Sequence, residues 1–220
     1  MVSFLLMIQT IFYLGLLGGL GFFFWKKYFN KFDSSALKYF SGLMSAEKYD
    51  AYVKGLIESK NLRQVALSKF DLDESELKEL PPLCLSDYYF DEKDQMIAVK
   101  KGKDGKDRSS AYQVSWFFFS ADQICLYQYT LNFNTNGLKE FTQEYYWKDI
   151  TGITMLDETK TVYEQPKSGK GFPVVKVVNI KLLTLTVAGD KCNCFMPKND
   201  DSIDRAIRGI KAKHAEKKKG

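Results

Sequence analysis

The feature that most constrains this chain is its N-terminal run from Val2 to Trp25, which contains no charged side chain. A helix of this length rises about 36 Å, more than the roughly 30 Å hydrocarbon core of a bilayer. Lys26, Lys27 and Lys31 follow at once, and basic residues are typical of the membrane interface. We therefore predict a transmembrane helix over residues 2–25.

A cleaved signal peptide is the alternative interpretation of the N-terminal run. It would need a basic start, a shorter apolar stretch and small residues at a cleavage site. The chain starts without charge, and its apolar run ends in "FFFWKK". Because the lysines lie only on the C-terminal side, the positive-inside rule predicts a single-pass cell-membrane protein with a cytoplasmic C-terminal domain.

Gly15 and Gly19 form a GxxxG pattern inside the predicted membrane helix. Small residues at this spacing let two membrane helices approach closely. Glycine is also common in membrane helices that do not pair. The two glycines are thus candidates for homodimer formation through the helix, with an unpaired anchor as the alternative.

Residues 26–82 form the predicted juxtamembrane and helical segment, in which apolar residues recur at helical spacing among many charges. Ser45 is placed to cap the first helix, and Asp73 with Glu76 forms a capping box for a short later helix. The same "DLDESELKEL" stretch lacks the glycine and glutamate that a calcium-binding EF-hand loop requires. The apolar face of the first helix comprises Tyr49, Tyr52, Val53, Leu56 and Ile57.

After Pro81 and Pro82, short runs rich in aromatic and β-branched residues indicate roughly seven strands in sequential hairpins. The run "WFFFSADQICLYQY", residues 116–129, is too short on either side of "SADQ" to span a membrane. We predict a central hairpin buried on both faces, by a barrel interior and by the helical segment 37–80. "NTNG" predicts the next turn, and residues 203–210 follow the spacing of an amphipathic C-terminal helix.

The segments "YYWKDITGI" and "AGDKCNCFM" and the C-terminal helix carry a resemblance to pleckstrin-homology-like (PH-like) domains. The whole layout is similar to small bacterial membrane-anchored proteins with such a domain. The resemblance implies an α+β fold: an N-terminal transmembrane helix, a short helical segment, and a mainly antiparallel bent β-sheet or barrel over residues 84–218, closed by a C-terminal helix. Domains of this kind bind lipids, peptides or proteins and rarely catalyse reactions.

No catalytic set is evident in the sequence. His214 is the single histidine, and in its lysine-rich surroundings we expect it to be solvated surface. With only this one histidine, expected at the surface, we exclude Ser-His-Asp and Cys-His catalytic arrangements. The stretch "PKSGKGFP" lacks the spacing of a phosphate-binding loop. We therefore predict a protein that is not an enzyme and has no cofactor and no metal.

The chain has four cysteines, too few for a secreted disulfide scaffold. Cys192 and Cys194 are separated by one residue on a predicted strand, so both thiols should project to the same face. The alternative function is accordingly a thiol-based redox or metal-sensing membrane protein that uses this pair. In the other interpretation, the two are small core side chains.

The net charge is +5, and part of it lies in one predicted hairpin loop. This loop is a candidate contact for anionic lipid or for a partner, or else a solvated loop whose charge Asp104 and Asp107 dilute. Residues 116–133 contain no Lys or Arg, which argues against nucleic acid binding. The basic residues of the loop are Lys100, Lys101, Lys103, Lys106 and Arg108.

These observations predict a membrane-anchored, non-enzymatic binding or scaffolding protein with a cytoplasmic PH-like domain. Its partner is expected to be a protein segment laid on a sheet edge, or an anionic lipid.

Overall fold

The computed structural model describes residues 34–73, 75, 77, 80–91, 97–164 and 174–219. The predicted membrane helix, with Gly15 and Gly19, lies outside these residues, as does Glu76 of the predicted capping box. Within the described ranges, no helix combines the length and the apolar character needed to cross a bilayer. The membrane anchor therefore stays a prediction.

In the described part of the chain, three α-helices precede the strands: α1 (Ser34–Phe40), α2 (Ala46–Ser59) and α3 (Leu62–Lys69). Ser45 caps α2 as predicted, because its side chain accepts a hydrogen bond from Lys48 N at 3.4 Å. Asn61 adopts a left-handed conformation with φ of 47°, which separates α2 from α3. The predicted helical segment is thus confirmed from residue 34 to residue 69.

The remaining elements are strands, one short 3-10 turn at Trp147–Asp149, and a C-terminal helix. The strands form a four-stranded sheet in the order β1-β4-β5-β6, a two-stranded ribbon β2-β3, and a three-stranded sheet β7-β8-β9. All of these pairs are antiparallel. The bounds are β1 (Leu83–Tyr88), β2 (Val99–Lys101), β3 (Asp107–Ser109), β4 (Ala111–Phe119), β5 (Gln123–Asn132), β6 (Gly137–Tyr146), β7 (Ile150–Glu164), β8 (Val174–Val187), β9 (Asp190–Met196) and α4 (Asp201–Lys217).

An α+β fold with mainly antiparallel sheets and a C-terminal helix is confirmed, whereas a single closed barrel is not what the described strands form. The break falls between β6 and β7, where the 3-10 turn redirects the chain. Trp147 fixes this turn, since its backbone N–H and its indole Nε1 donate to Asp122 O at 2.9 Å and to Ser120 O at 3.1 Å. The chain therefore leaves the first sheet instead of continuing it.

The central hairpin of β4 and β5 is buried on both faces, as predicted. Alternate residues of a strand point to opposite sides, so Phe117 and Leu126 enter one core with β9 and α4. Phe118 and Tyr127 enter another core, against α3. The second sheet with α4, rather than a barrel interior, covers the first face.

Helix α4 packs Ile203, Ile207 and Ile210 into the core, and the Asp200 side chain caps its first turn. The expectation of a solvated His214 is wrong. His214 follows Ile210 by four residues and thus lies on the same buried face. Its Nε2 donates to the carbonyl oxygen of Ile150 at 2.8 Å.

Candidate functional site

A cleft of about 890 Å³ lies where α2, the end of β1, the β2–β3 turn, β8 and the chain after β9 meet. Apolar side chains form part of its wall, among them Phe90, Ile180 and Phe195. Charged groups from three other elements converge on the same space. A concave site of this size with a few convergent polar groups is the usual form of a ligand site.

Arg108, on β3, holds the α2 side of the cleft to the β2–β3 ribbon. Its side chain is only 3% exposed. Its Nε and Nη2 contact both carboxylate oxygens of Asp50 at 2.6 Å. Its Nη1 and Nη2 contact the two oxygens of Asp104 at 2.9 and 2.8 Å. Because bidentate pairs are the strongest and most directional ion pairs, this arrangement fixes helix and ribbon together.

Neighbouring groups complete this arrangement. Tyr88 donates its hydroxyl to Asp50 Oδ1 at 2.7 Å. A hydrogen bond from Arg108 holds the pKa of Asp104 well below its usual range. The hydrogen bonds that Arg108 donates to Asp50 and Asp104 raise the pKa of Arg108 itself. A Cβ at Gly102 would overlap Arg108 Nη1 and Asp104 Oδ1, so the chain needs glycine there. We call Arg108, Asp50, Asp104 and Tyr88 the Arg108 clamp.

The structure divides the basic residues that the sequence put forward as one lipid or partner contact. Arg108 is buried in the clamp. Lys100 donates to Tyr39 O at 2.5 Å and lies 4.7 Å from the centre of the Tyr39 ring. The other three, Lys101, Lys103 and Lys106, are exposed. Only these three keep the open charge that the original set was expected to present.

Asp87, at the end of β1, is the unusual carboxyl of the cleft. Its Oδ1 accepts a hydrogen bond from Tyr88 N at 2.7 Å, and it makes no ion pair with a described residue. Burial raises the pKa of Asp87 to about 6, while Lys198 and Lys106 oppose that rise from a distance. Both lysines line the cleft. The cleft therefore holds one carboxyl with a raised pKa, that of Asp87, and two lysines that make no ion pair with a described residue, Lys106 and Lys198.

The cleft adjoins an open strand edge. Strand β7 pairs with β8 along residues 174–187, but β9 pairs only with residues 181–187. Pro197 follows β9 and has no N–H to continue its ladder. On the β9 side, residues 174–180 of β8 therefore face no strand of the described chain, and Asn179 and Ile180 of this edge line the cleft. The exposed apolar residues nearby are Val174, Val175 and Val177.

A second polar group lies between the two sheets. Cys192 and Cys194 share the inward face of β9, as predicted, and both are buried. Gln128 Nε2 donates to Cys194 Sγ at 3.1 Å, and Cys192 Sγ donates to Gln128 Oε1 at 3.7 Å. We call Cys192, Cys194, Gln128, Ser115 and Tyr145 the thiol cluster.

Metal binding finds no support in the described residues. They contain no group of three or more His, Cys, Asp or Glu side chains able to hold a metal ion. Their four cysteines are all free.

Comparison of the chain with protein-family models, curated proteins and solved structures finds no significant match. The argument for function therefore depends on the geometry of the chain itself. Sequence reasoning missed Asp50, Gly102 and Asp87 as parts of the site. The interleaving of Asp104 and Asp107 with the basic loop was the one available indication, since each acid pairs with a cation: Asp107 lies 2.9 Å from Lys176 Nζ.

Proposed function

We propose that this chain is a membrane-anchored, non-enzymatic binding or scaffolding protein whose cytoplasmic domain is PH-like and whose cleft binds an extended protein segment. The observation that carries the proposal is the junction of the cleft with the open edge of β8. Residues 174–180 offer a strand edge, and Asn179 and Ile180 belong to edge and cleft alike.

The order of the elements supports the PH-like fold. Within each sheet the strands follow one another in antiparallel hairpins, β4-β5-β6 beside β1 in the first and β7-β8-β9 in the second, and α4 comes last. Helix α4 packs against the core shared by both sheets. A split of the strands into a four-stranded and a three-stranded sheet is compatible with a strongly bent sheet whose end a helix closes.

Strand addition is the binding mode that fits this edge. A peptide that adds to a sheet gains affinity from backbone hydrogen bonds and specificity from pockets for alternate side chains. A segment in line with β9 would pair with β8 and place side chains in the cleft beside Phe195 and Ile180. The exposed valines on β8 supply apolar contact along the same edge.

Two lysines of the cleft favour an acidic and apolar segment. Arg108 lies between Asp50 and Asp104, whose two charges exceed its own by one, and Asp107 pairs with Lys176. Lys106 and Lys198 make no ion pair with a described residue, and both line the cleft, where they are placed to meet carboxylates of a bound segment. An anionic lipid is the less favoured ligand, because burial of Arg108 and engagement of Lys100 remove two of the five cations that the loop would have offered.

Photo-crosslinking of the full-length protein in its native membrane tests the proposal. A photoreactive phenylalanine analogue would replace Asn179 at the edge or, as a control, Arg205, which is exposed on α4. We expect Asn179 alone to give crosslinks, and we expect mass spectrometry to map them to an extended apolar and acidic segment of a partner. Crosslinks to lipid only, or equal crosslinks from Arg205, would contradict the proposal.

A charge-reversal pair makes the test specific to the cleft. Lys106→Glu with Lys198→Glu should reduce the Asn179 crosslink several-fold, because an acidic segment would then face like charge. Lys218→Glu with Lys219→Glu changes the net charge equally on the exposed end of the chain and should leave the crosslink intact. An equal reduction by both pairs would show that charge acts non-specifically.

The anchor and its orientation need a separate measurement. The native cysteines are poor reporters, because three are buried and burial raises the pKa of Cys84 and Cys125 to about 11. An exposed Arg205→Cys should instead be labelled by a membrane-impermeant maleimide only after the cells are permeabilised. Labelling in intact cells would place the domain outside, and release of the protein by alkaline carbonate would argue against an integral anchor.

A further inference from the structure

The thiol cluster lies between the two sheets, beside apolar side chains of the core. Its members come from four strands: Ser115 from β4, Gln128 from β5, Tyr145 from β6, and the two cysteines from β9. The surrounding core is made of residues such as Leu126 and Leu183. Polar groups in such a setting reduce stability unless they are well paired, so their presence indicates a role other than packing.

The two thiols differ in access. Cys194 is fully buried. Cys192 instead lines a second cavity of about 290 Å³, together with Gln128, Thr130 and Phe141. A small molecule that enters this cavity therefore meets Cys192 and not Cys194.

Two donors lie beside Cys192. The Tyr145 hydroxyl is buried, has no aligned hydrogen bond among the described residues, and interacts with Cys192. The Cys194 thiol is the second donor, and its hydrogen bond lowers the pKa of Cys192 against the effect of burial. Burial raises the pKa of Cys194 itself. A thiolate thus forms on Cys192 first and gives the unpaired tyrosine hydroxyl an acceptor.

We propose that Cys192 reacts with a hydroperoxide that enters this cavity and that Cys194 then forms a disulfide with it. The Cys192 thiolate attacks the terminal O–H oxygen of the hydroperoxide, the O–O bond breaks, and the products are a sulfenic acid and an alkoxide, or hydroxide where the oxidant is hydrogen peroxide. This leaving group takes up the proton that Cys192 released and departs as an alcohol or as water. The Cys194 sulfur next attacks the sulfur of Cys192, the S–O bond breaks, and the hydroxide released takes the thiol proton of Cys194 and leaves as a second product, water. Two thiols lose two electrons, which reduce the peroxide.

The position of the pair on one strand makes the disulfide reversible. Residues two apart on a strand have Cα atoms about 6.4–6.8 Å apart, the upper end of the distance range of disulfides. Closing the bond requires β9 to shorten, where Cys192 and Cys194 now pair with Leu185 and Leu183. Strained disulfides are the readily reduced ones. The site therefore has the properties of a sensor rather than of a structural bridge.

A redox role fits the cluster better than metal sensing, the other thiol function that the sequence left open. No third His, Cys, Asp or Glu side chain joins the pair to hold a metal among the described residues. The proposal is also independent of the cleft, since none of its residues belongs to the proposed strand-addition edge.

Peptide mapping of the full-length protein in detergent, after treatment with hydrogen peroxide, tests the proposal. We expect the peptide that carries Cys192 and Cys194 to lose two hydrogens and to regain them with dithiothreitol. Cys84 and Cys125 should stay reduced, because burial raises their pKa to about 11 and only the thiolate reacts. Oxidation of all four cysteines at similar rates would overturn the proposal, as would no oxidation at peroxide levels that oxidise free cysteine.

Single substitutions assign the two roles. Cys194→Ser should leave a sulfenic acid on Cys192 that dimedone traps, whereas Cys192→Ser should abolish the reaction. Cys125→Ser, another buried position, should react as the unaltered protein does. Dimedone on Cys194 in the Cys192→Ser protein would overturn the assignment, and circular dichroism would verify that each variant is folded. The mapping of the unaltered protein decides the proposal even where a variant fails to fold.

Discussion

The Arg108 clamp and the thiol cluster each bury at least one polar side chain, but their contacts differ in length and completeness. Ionic contacts in the clamp span 2.6 to 2.9 Å, and Tyr88 adds a hydroxyl donor. In the thiol cluster the sulfur contacts of Gln128 span 3.1 to 3.7 Å, and Tyr145 has no aligned partner. Buried charges require full pairing, whereas neutral thiols tolerate a looser site that can react. The clamp therefore holds α2 and the β2–β3 ribbon together, whereas the thiol cluster keeps two thiols that can react.

Removal of Arg108 should have the largest effect on stability. Arg108→Met leaves two carboxylates without their cation, and we expect a loss of about 2–3 kcal/mol in the free energy of unfolding. This is below the loss for a fully buried pair, because the side chains of Asp50 and Asp104 are 44% and 34% exposed. Urea unfolding at pH 7 measures the change.

Lys54 supplies the matched control for that substitution. Its ion pair with Glu58 is solvent-exposed, with side chains 77% and 65% accessible. Lys54→Met should therefore alter stability by less than about 0.5 kcal/mol. Similar losses for the two variants would remove the distinction between a clamp and an ordinary surface pair.

Gly102→Ala attacks the clamp by steric means without removing a charge. The new Cβ overlaps Arg108 Nη1 and Asp104 Oδ1, so we expect a loss of about 1–3 kcal/mol. Gly55, in α2, has open space around it, and Gly55→Ala should instead stabilise the protein by about 0.5–1 kcal/mol. Thermal unfolding of both variants shows whether their changes in stability have opposite signs. Stabilisation by Gly102→Ala would show that the side chains of the clamp move to make room for the new Cβ.

Asp87 offers an intermediate case, a buried carboxyl without an ion pair. Because burial raises its pKa to about 6, the folded state binds the proton more tightly than the unfolded chain does. Its contribution to stability is thus present below about pH 4 and is lost as the pH rises through about 6. Asp87→Asn should be more stable than the unaltered protein at pH 7, by about 1–2 kcal/mol since the cleft is open, and equal to it near pH 4.

Urea unfolding between pH 4 and pH 8 measures the difference between the two proteins. Asp200→Asn is the control with the opposite sign, because a hydrogen bond from Ser202 lowers the pKa of the Asp200 carboxyl. Its carboxylate contributes stability above about pH 4 that is lost as the pH falls. Parallel curves for Asp87→Asn and the unaltered protein would mean that Asp87 is solvated.

The thiol cluster should show the smallest effect. Gln128→Leu removes the sulfur contacts and two hydrogen bonds from Nε2, to Asn193 O at 3.0 Å and to Ser115 Oγ at 3.3 Å. Asn193 is exposed, so water replaces that bond, and we expect a loss of about 1 kcal/mol. Gln113 pairs with Thr130 of the neighbouring strand. It differs from Gln128 because its Oε1 accepts a hydrogen bond from the buried Phe195 N at 2.9 Å. Gln113→Leu leaves that N–H unpaired, for about 1–3 kcal/mol. Urea unfolding of both variants compares them, and a larger loss for Gln128→Leu would make the cluster structural.

The parts of the fold that local pattern controls could be predicted from the sequence. The apolar runs on either side of "SADQ" predicted the hairpin buried on both faces, and the spacing of residues 203–210 predicted the C-terminal helix. The β2–β3 ribbon, by contrast, was predicted only as a polar loop. Its attachment to α2 involves the contact of Arg108 with Asp50, which is 58 residues away in the chain.

The candidate site was largely out of reach of sequence reasoning for the same reason. Residues of six elements, α2, β1, β3, β4, β8 and β9, line the cleft, and no local pattern indicates that they meet. His214 shows the problem at a single residue, because its partner Ile150 is 64 residues away and a lysine-rich tail otherwise suggests solvent. The Cys192 and Cys194 pair was predictable, since the two thiols share a face by strand geometry alone.

The packing of α3 on the central hairpin also determines when, during synthesis, this helix can complete its contacts. Ala66 and Tyr129 belong to one core cluster, yet Tyr129 is made 63 residues later (129 − 66). At about 5–20 residues per second, the ribosome needs about 3–13 s for that stretch. Over that interval the apolar side of α3 lacks its partner strand. The helices are therefore the first part of the described chain to be made, but they cannot complete their packing until the central hairpin has left the ribosome.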